Sequence, residues 1–335
     1  MIVKNDRIDL CRPDDFHVHF RLAEMLRQVA GYTARVFRRA LVMPNTNPDI
    51  LTGADARRYV EEIRAATTPW QFTPLMTIRL TPATTAETLR GAVEAGVVAV
   101  KLYAGITTNS AHGISDVRVF ASVFAEMERL GLVLCLHGEV PDVFCLDRET
   151  AFLQELRWIA VMFPKLRIVL EHVTTAAAVR VVKELPDTVA ATITAHHLRL
   201  TLRPHNFCMP VAKRPEDRAA LIAVATSGNP KFFFGSDSAP HDRDKKESAE
   251  GCAGCFTAPV ALELLAETFE WEGQIERLEA FVSEAGASFY GLPLNEGTIT
   301  LARGPWHVPY RLLNSRNAQL IPFWAGEEIA WKVAA

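Results

Sequence analysis

The sequence predicts a (β/α)8 barrel, and three observations support this fold class. Eight short apolar or β-branched segments recur with starts roughly 25–45 residues apart, the spacing of strand–helix units rather than hairpins. The segments between them carry apolar residues at helical spacing. Several strands, such as residues 132–136, are apolar throughout, which is typical of parallel strands buried on both faces. Eight such units favour a closed barrel over an open doubly wound sheet, because no Gly-X-Gly-X-X-Gly follows the first strand.

The elements are predicted in a regular order. The eight strands are residues 8–17, 39–44, 72–79, 97–103, 132–137, 166–172, 188–195 and 232–237. Helices are predicted after strands two to seven, at residues 53–66, 84–95, 115–130, 148–163, 174–185 and 216–226. Two further helical stretches, 258–271 and 275–290, precede an irregular tail. We therefore expect one domain over residues 1–335, with a barrel core at about 8–257 and C-terminal helices and tail at 258–335.

Composition excludes several classes of protein. The chain carries 36 basic and 39 acidic residues, a net charge of −3, which gives no electrostatic footprint for nucleic acid or an anionic membrane. The longest apolar runs are far below the ~20 residues that span a bilayer. Six cysteines are too sparse for a disulfide framework, and the amino terminus has no secretory signal. The expectation is a soluble cytoplasmic protein.

Polar residues end five of the predicted strands. His17 and His19 follow the first strand, and side chains two apart on a strand point to the same side, so both imidazoles can bind one ion. The other strand ends carry a lysine, two histidines and an aspartate: Lys101, His137, His172 and Asp237. Barrel active sites lie at this carboxyl-terminal face, so we expect these residues to converge there.

Four histidines and one aspartate exceed the three protein ligands usual at a single catalytic zinc. Two divalent ions ~3.5–4 Å apart would use all of them, with a bridging anion to offset their repulsion. Lys101 would supply that anion if its amine, neutral through a lowered pKa, took up carbon dioxide as a carbamate. Spacing alone leaves open the alternative that the Lys101 amine reaches solvent.

The sequence resembles the amidohydrolase superfamily and, within it, the dihydroorotase family of the shorter bacterial type. The resemblance rests on an ordered set of motifs: Pro13-Asp-Asp-Phe-His-Val-His-Phe-Arg21, Met43-Pro-Asn-Thr-Asn47, Lys101-Leu-Tyr103, Thr107-Thr-Asn-Ser110, His112-Gly113, Leu136-His-Gly-Glu139, Glu171-His-Val-Thr-Thr175, Gly235-Ser-Asp-Ser-Ala-Pro-His241 and Gly251-Cys-Ala-Gly-Cys-Phe256. The His-X-His pair alone is a weak signal, whereas the ordered set is very specific.

The resemblance implies a role for each matched residue. The more buried metal would be bound by His17, His19 and Asp237. The second metal would be bound by His137 and His172. Carboxylated Lys101 and a hydroxide would bridge the two ions. Zn²⁺ is the expected ion. A substrate clamp would consist of Arg21, Asn45 and His241, with backbone contacts from Met209 and Ala253 and a closing loop at Thr107 and Thr108.

The implied reaction is the reversible hydrolysis of L-dihydroorotate to N-carbamoyl-L-aspartate in pyrimidine biosynthesis. Asp237 would act as general base and then general acid. The family also implies a homodimer. Two alternatives stay open: another cyclic-amide hydrolase, of the hydantoinase or allantoinase type, and a non-catalytic dihydroorotase-like subunit. The hydrolase alternative shares the metal ligands with dihydroorotase. The discriminating residues are therefore Arg21, Asn45 and His241, which suit a substrate that bears a free carboxylate.

Some features depart from the family pattern or invite a second function. Phe16 stands where relatives often carry Trp. The segment 199–202 is shorter than in relatives, so the family pattern does not fix the loop near strand 7. The segment 104–106 is also short, so the pattern does not fix the position of the closing loop. Cys252 and Cys255 have the spacing of half a zinc ribbon, but no second pair exists, so close packing beside the site is expected. His196 and His197 are expected to be structural or to support the metal ligands.

Overall fold

The structure, a computed structural model, describes residues 1–4, 6–104, 116–199, 203–249, 251–313 and 319–334. The chain begins with two short antiparallel strands, β1 (Ile2–Lys4) and β2 (Arg7–Cys11). The next eight strands form one parallel sheet in sequence order: β3 (Asp14–Val18), β4 (Arg39–Val42), β5 (Thr73–Arg79), β6 (Val97–Tyr103), β7 (Val133–His137), β8 (Ile168–Leu170), β9 (Val189–Ile193) and β10 (Phe232–Phe234).

This sheet closes on itself between β3 and the chain that follows β10. The Asp237 amide donates to the carbonyl of His17 at 2.8 Å, and the His19 amide donates to the carbonyl of Ser238 at 3.0 Å. These two bonds join the first and last strands at their carboxyl ends. The predicted (β/α)8 barrel is confirmed.

Helices cover the outside of the barrel and continue beyond it. They are α1 (Ala23–Ala34), α2 (Gly53–Ala66), α3 (Ala86–Glu94), α4 (Ala121–Leu130), α5 (Arg148–Met162), α6 (Ala176–Glu184), α7 (Ala195–Leu198), α8 (Pro215–Ala225), α9 (Arg243–Lys246), α10 (Ala261–Trp271) and α11 (Ala285–Tyr290). Thr52 and Thr85 begin α2 and α3 with capping boxes, which satisfy amide groups that the first turn leaves free. No helix was predicted at α1, whose N-cap Leu22 makes no side-chain hydrogen bond.

The first predicted strand, residues 8–17, is wrong as a single element. It divides at Arg12 and Pro13 into β2 and β3, which belong to different sheets. Proline has no amide hydrogen for a strand ladder, so the break falls there. The tail is likewise not irregular: β11 (Thr298–His307), β12 (Leu312–Leu313), β13 (Gln319–Leu320) and β14 (Glu328–Val333) follow α11, and an antiparallel sheet runs in the order β1-β2-β11-β14.

Apolar side chains fill the barrel below its carboxyl-terminal rim. Phe16 stacks on Tyr290 with ring centroids 4.8 Å apart and meets the edge of Phe233 at 5.3 Å. The layer around them is also apolar and buried, and includes Leu41 and Val133. This apolar layer lies beneath the polar residues that the strands carry at their carboxyl ends.

A buried ion pair links the barrel to its C-terminal extension. Arg39 donates to both carboxylate oxygens of Asp14, at 2.9 and 2.6 Å, and also to the carbonyl of Pro293. Asn295 donates to Asp14 at 2.7 Å, so residues beyond α11 hold the start of β3 in place. Among the described residues, no helix is both long and apolar enough to cross a membrane.

Candidate active site

Six residues predicted from strand ends meet at the carboxyl-terminal rim of the barrel. Each lies within the last three residues of its strand or just after it, and each is at most 8% exposed: His17, His19, Lys101, His137, His172 and Asp237. Parallel strands all deliver their last residues to one edge, which explains why positions 220 residues apart become neighbours.

One half of the cluster is formed by His17, His19 and Asp237. The two Nε2 atoms are 3.3 Å apart, and Asp237 Oδ1 lies 3.1 Å from His19 Nε2 and 3.5 Å from His17 Nε2. The three ligand atoms lie within 4.8 Å of one another, as a single ion requires. Burial lowers the pKa of His19 to about 4, so its imidazole is neutral near pH 7 and keeps a lone pair for a metal.

His137 and His172 form the other half. His137 Nδ1 lies 3.3 Å from His172 Nε2, and the His172 ring centroid is 5.0 Å from that of His17. Burial holds the pKa of His172 well below its usual value. The two halves are therefore adjacent, and all the atoms that could bind metal face a common space.

Two glutamates orient the histidines from behind. Glu171 Oε2 accepts from His17 Nδ1 at 2.8 Å, and Glu139 Oε2 accepts from His137 Nε2 at 3.0 Å. Each carboxylate fixes the tautomer of its imidazole and directs the other ring nitrogen to the cluster. Although burial opposes it, the hydrogen bonds from His17 and from the Thr192 hydroxyl contribute to holding the pKa of Glu171 below its usual value, so Glu171 remains a carboxylate.

Lys101 lies inside the barrel and does not reach solvent. Its side chain is fully buried, and its Nζ has no hydrogen-bond partner among the described residues. Burial lowers its pKa. Its Nζ lies 5.3 Å from the centroid of the Tyr103 ring. A long polar side chain that ends without a partner beside five potential ligands fits a site completed by another group.

The backbone is strained at the same place. Arg21, His172 and Asp237 have φ values of 61°, 41° and 44°, in the left-handed region that side chains other than glycine rarely adopt. Such conformations cost on the order of 1–3 kcal/mol each and are concentrated at functional sites. These three backbone conformations lower the stability of the fold and set the directions of the three side chains.

The predicted substrate residues border the cluster. His241 Nε2 lies 2.9 Å from Arg21 Nη2 and 3.0 Å from the carbonyl oxygen of Ala253. Burial, reinforced by the Arg21 charge, lowers the pKa of His241 to about 2, so this imidazole is neutral. Asn45 and Met209 line the same pocket as the histidines, together with Arg21 and Ala253. Thr107 and Thr108 lie outside the described residues, as do positions 105–106 and 200–202 of the short segments.

Three carboxylates at the site were given no role in the sequence analysis. Glu139 and Glu171 orient the histidines as described. Asp15 accepts from the His17 amide at 3.1 Å and from the Ser236 amide and hydroxyl, which fixes the seam of the barrel. The sequence does contain a signal that could have identified the two glutamates, because each lies within two positions of a predicted metal ligand.

The donor set suits two divalent ions of the zinc type. Four imidazoles, two of them oriented by a carboxylate, and one aspartate match the ligands that such ions take in catalytic sites. Among the described residues, the Lys101 amine, His172 Nδ1 and Glu171 Oε1 have no hydrogen-bond partner, so these buried polar groups are left for another group to satisfy. An eight-stranded barrel with this cluster at its carboxyl-terminal rim defines a metal-dependent hydrolase of the amidohydrolase superfamily.

Comparison with known proteins narrows this class. No model of a protein family matches the chain. Dihydroorotases of Aromatoleum aromaticum and Teredinibacter turnerae are 49% and 48% identical to it, over 97% and 98% of this chain and 99% of theirs. The crystal structure of the Saccharomyces cerevisiae dihydroorotase superposes with a TM-score of 0.93 at 36% identity, covering 98% of this chain and 99% of the yeast chain. The chain belongs to the dihydroorotase family.

Proposed function

We propose that the protein hydrolyses L-dihydroorotate reversibly to N-carbamoyl-L-aspartate at the six-residue cluster. The supporting observation is that His17, His19, His137, His172 and Asp237 line one pocket at the carboxyl-terminal rim, with the side chain of Lys101 fully buried on β6. This arrangement, with the family membership, supports dihydroorotase activity in pyrimidine biosynthesis. The family resemblance also supports a cytoplasmic homodimer, which analytical ultracentrifugation would test.

We assign the ligands as the distances suggest. His17, His19 and Asp237 would hold one divalent ion, and His137 and His172 the other. Zn²⁺ is the preferred ion. When bound, the pair would polarise the ring carbonyl and lower the pKa of water near it.

Lys101 would complete the centre as a carbamate. Its neutral amine would form a nitrogen–carbon bond with carbon dioxide and release one proton, which yields an anion with two oxygens. Full burial and the absence of a partner for Nζ among the described residues support this role. An ammonium at that depth between two dications would be strongly destabilised.

Asp237 would move the proton in the hydrolytic direction. Its carboxylate would accept a proton from the attacking water, and the water oxygen would bond to the ring amide carbon. As the carbon–nitrogen bond breaks, Asp237 would return the proton to the leaving nitrogen. Asp237 is placed for metal binding because its Oδ1 lies beside the Nε2 atoms of His17 and His19. It is placed for proton transfer because it lines the pocket in which the substrate would bind.

Arg21, Asn45 and His241 would hold the free carboxylate of the substrate. A guanidinium offers paired planar donors, and neutral His241 lies against it. Met209 and Ala253 would contact the ring through their backbone, and Thr107 and Thr108 would close over it. The yeast relative, whose crystal structure holds 5-fluoroorotic acid, supports a carboxylated pyrimidine as ligand.

Two substrates test this proposal against a hydantoinase-type activity. The purified zinc-loaded protein should hydrolyse L-dihydroorotate and leave neutral hydantoin intact. Arg21→Met should lower kcat/KM for dihydroorotate about 10- to 100-fold, the value of a charged hydrogen bond. Faster turnover of hydantoin than of dihydroorotate would overturn the assignment.

Lys101→Ala tests the carbamate. This variant should lose bound zinc and activity, and short carboxylic acids should restore part of both. Lys231→Ala is the matched control, since Lys231 precedes β10 at the opposite end of the barrel and should keep both. Full activity of Lys101→Ala without additives would refute the bridging role.

A further inference from the structure

A second group of potential metal ligands lies outside the proposed active-site cluster. His196, Cys208 and Cys255 are buried, and one ligand atom from each lies within 4.8 Å of the others. They come from three separate places: α7 after β9, the segment before α8, and the segment after β10. No two are neighbours in sequence, so the fold alone brings them together.

His196 differs from the histidine beside it. His197 has both ring nitrogens engaged: Nε2 donates to the carbonyl of Pro210 at 3.0 Å, and Nδ1 lies 2.8 Å from the hydroxyl of Thr194. His196 is 1% exposed, yet neither of its ring nitrogens has a partner among the described residues. A buried polar group left unpaired costs about 1–3 kcal/mol, so this imidazole is short of a ligand.

The chemistry of the cluster selects a particular kind of metal ion. Two sulfurs and one imidazole suit Zn²⁺ or Cu⁺ and are poor ligands for Mg²⁺ or Ca²⁺. Two thiolates would cancel the charge of Zn²⁺, so the occupied site would be neutral beside the Lys246 ammonium. That ammonium is held by the carbonyls of Phe207 and Gly254, each next to one of the cysteines.

The present spacing is close to what a metal needs. A zinc–sulfur bond of about 2.3 Å sets tetrahedral ligand separations at roughly 3.5–3.8 Å. Since the three ligand atoms lie within 4.8 Å of one another, they would have to approach by at most about 1 Å. Binding would displace the two thiol protons.

We propose that His196, Cys208 and Cys255 bind one thiophilic metal ion such as Zn²⁺ at a site separate from the catalytic centre. Its effect would be to fix two backbone segments at the pocket. Met209 follows Cys208, and Ala253 and Gly254 precede Cys255, and all three line the pocket of the candidate active site. The ion would therefore stabilise the wall against which the substrate ring is expected to lie.

Cobalt(II) offers a readout that activity does not. The proposed catalytic ligands include no sulfur, so a thiolate-to-cobalt charge-transfer band in the near ultraviolet can come only from cysteine. Protein loaded with Co²⁺ should show this band and bind one more ion per chain than the Cys208→Ser and Cys255→Ser variants, which should lack it. Cys252→Ser is the matched control, because Cys252 lies three positions from Cys255 but outside the cluster, and it should keep the band.

Two further measurements protect the test against misfolded variants. His196→Gln keeps a polar side chain of similar size and should weaken the extra ion at least 10-fold. Crystals of the unmodified zinc-loaded protein should give an anomalous peak between the three side chains. An absent peak there, with peaks at the histidine–aspartate cluster, would overturn the proposal. A Cys208–Cys255 disulfide in natively purified protein, or a cobalt band that survives Cys255→Ser, would do the same.

Discussion

Glu263 should make the stability of the protein depend on pH. It lies on a buried stretch of α10, and its carboxylate accepts a long bond of 3.4 Å from the Val333 amide of the C-terminal sheet. Burial raises its pKa from 4.5 to about 7, although Arg35 and Lys332 act in the opposite direction. The folded protein therefore holds a proton that the unfolded chain releases.

The sign and size follow from this difference. Below pH 4.5 the carboxyl is protonated in both states and costs nothing. As pH rises toward 7 the unfolded chain loses its proton first, so stability falls, and above pH 7 the full cost of about 3 kcal/mol applies. Glu263→Gln cannot ionise, and its advantage over the parent should widen by about 2.5 kcal/mol between pH 5 and pH 8.

Thermal unfolding of both proteins at the two pH values measures this effect. With an unfolding entropy of about 2.1 cal/mol/K per residue, 2.5 kcal/mol corresponds to a change of about 4 °C in the difference between their Tm values. Glu267→Gln is the control one turn along α10: it deprives buried Arg199 of a carboxylate 2.6 Å away and should lower Tm at both pH values. If the Glu263→Gln advantage were equal at pH 5 and pH 8, the reasoning would be wrong.

Two other predictions concern orientation and packing. Glu139→Gln should lower zinc affinity about 10- to 100-fold, because the imidazole of His137 loses its orienting carboxylate; competition with a chelator measures this, and unchanged affinity would contradict it. Gly286→Ala should destabilise the fold by about 1–3 kcal/mol, because a Cβ at that position would lie 2.3 Å from Phe16. Gly91→Ala should instead stabilise the fold by about 0.4–1 kcal/mol, because Gly91 has a helical backbone and open space around it. Denaturant titration separates the two glycine variants, and equal effects would count against this packing.

Local patterns were enough to predict most of the barrel. Strand β6 has the predicted bounds, and β7 and α2 differ from prediction by at most one residue. These segments carry strong periodicity, and Thr52 marks the start of α2 as a cap. The convergence of the strand ends also followed, because a parallel barrel places every carboxyl end on one rim.

Features that depend on distant partners could not be predicted. Residues 8–17 look like one strand, but β2 pairs with β11, so only the tertiary structure reveals the break at Pro13. α1 has no cap and contains Gly31 and Thr33 near its end, which weakens its helical pattern. The cluster of His196 with Cys208 and Cys255 is equally non-local, since its three residues come from separate segments of the chain.

The pairing of β2 with β11 sets an order for folding during translation. Ile8 lies opposite Leu301 in this sheet, so the partner of one of the first strands is made nearly 300 codons later. At about 5–20 residues per second, β2 waits roughly 15–60 s on the ribosome with an open edge. The barrel can close before then, because its strands pair in sequence order. The nascent chain thus carries an exposed strand edge that invites aggregation until synthesis is almost finished.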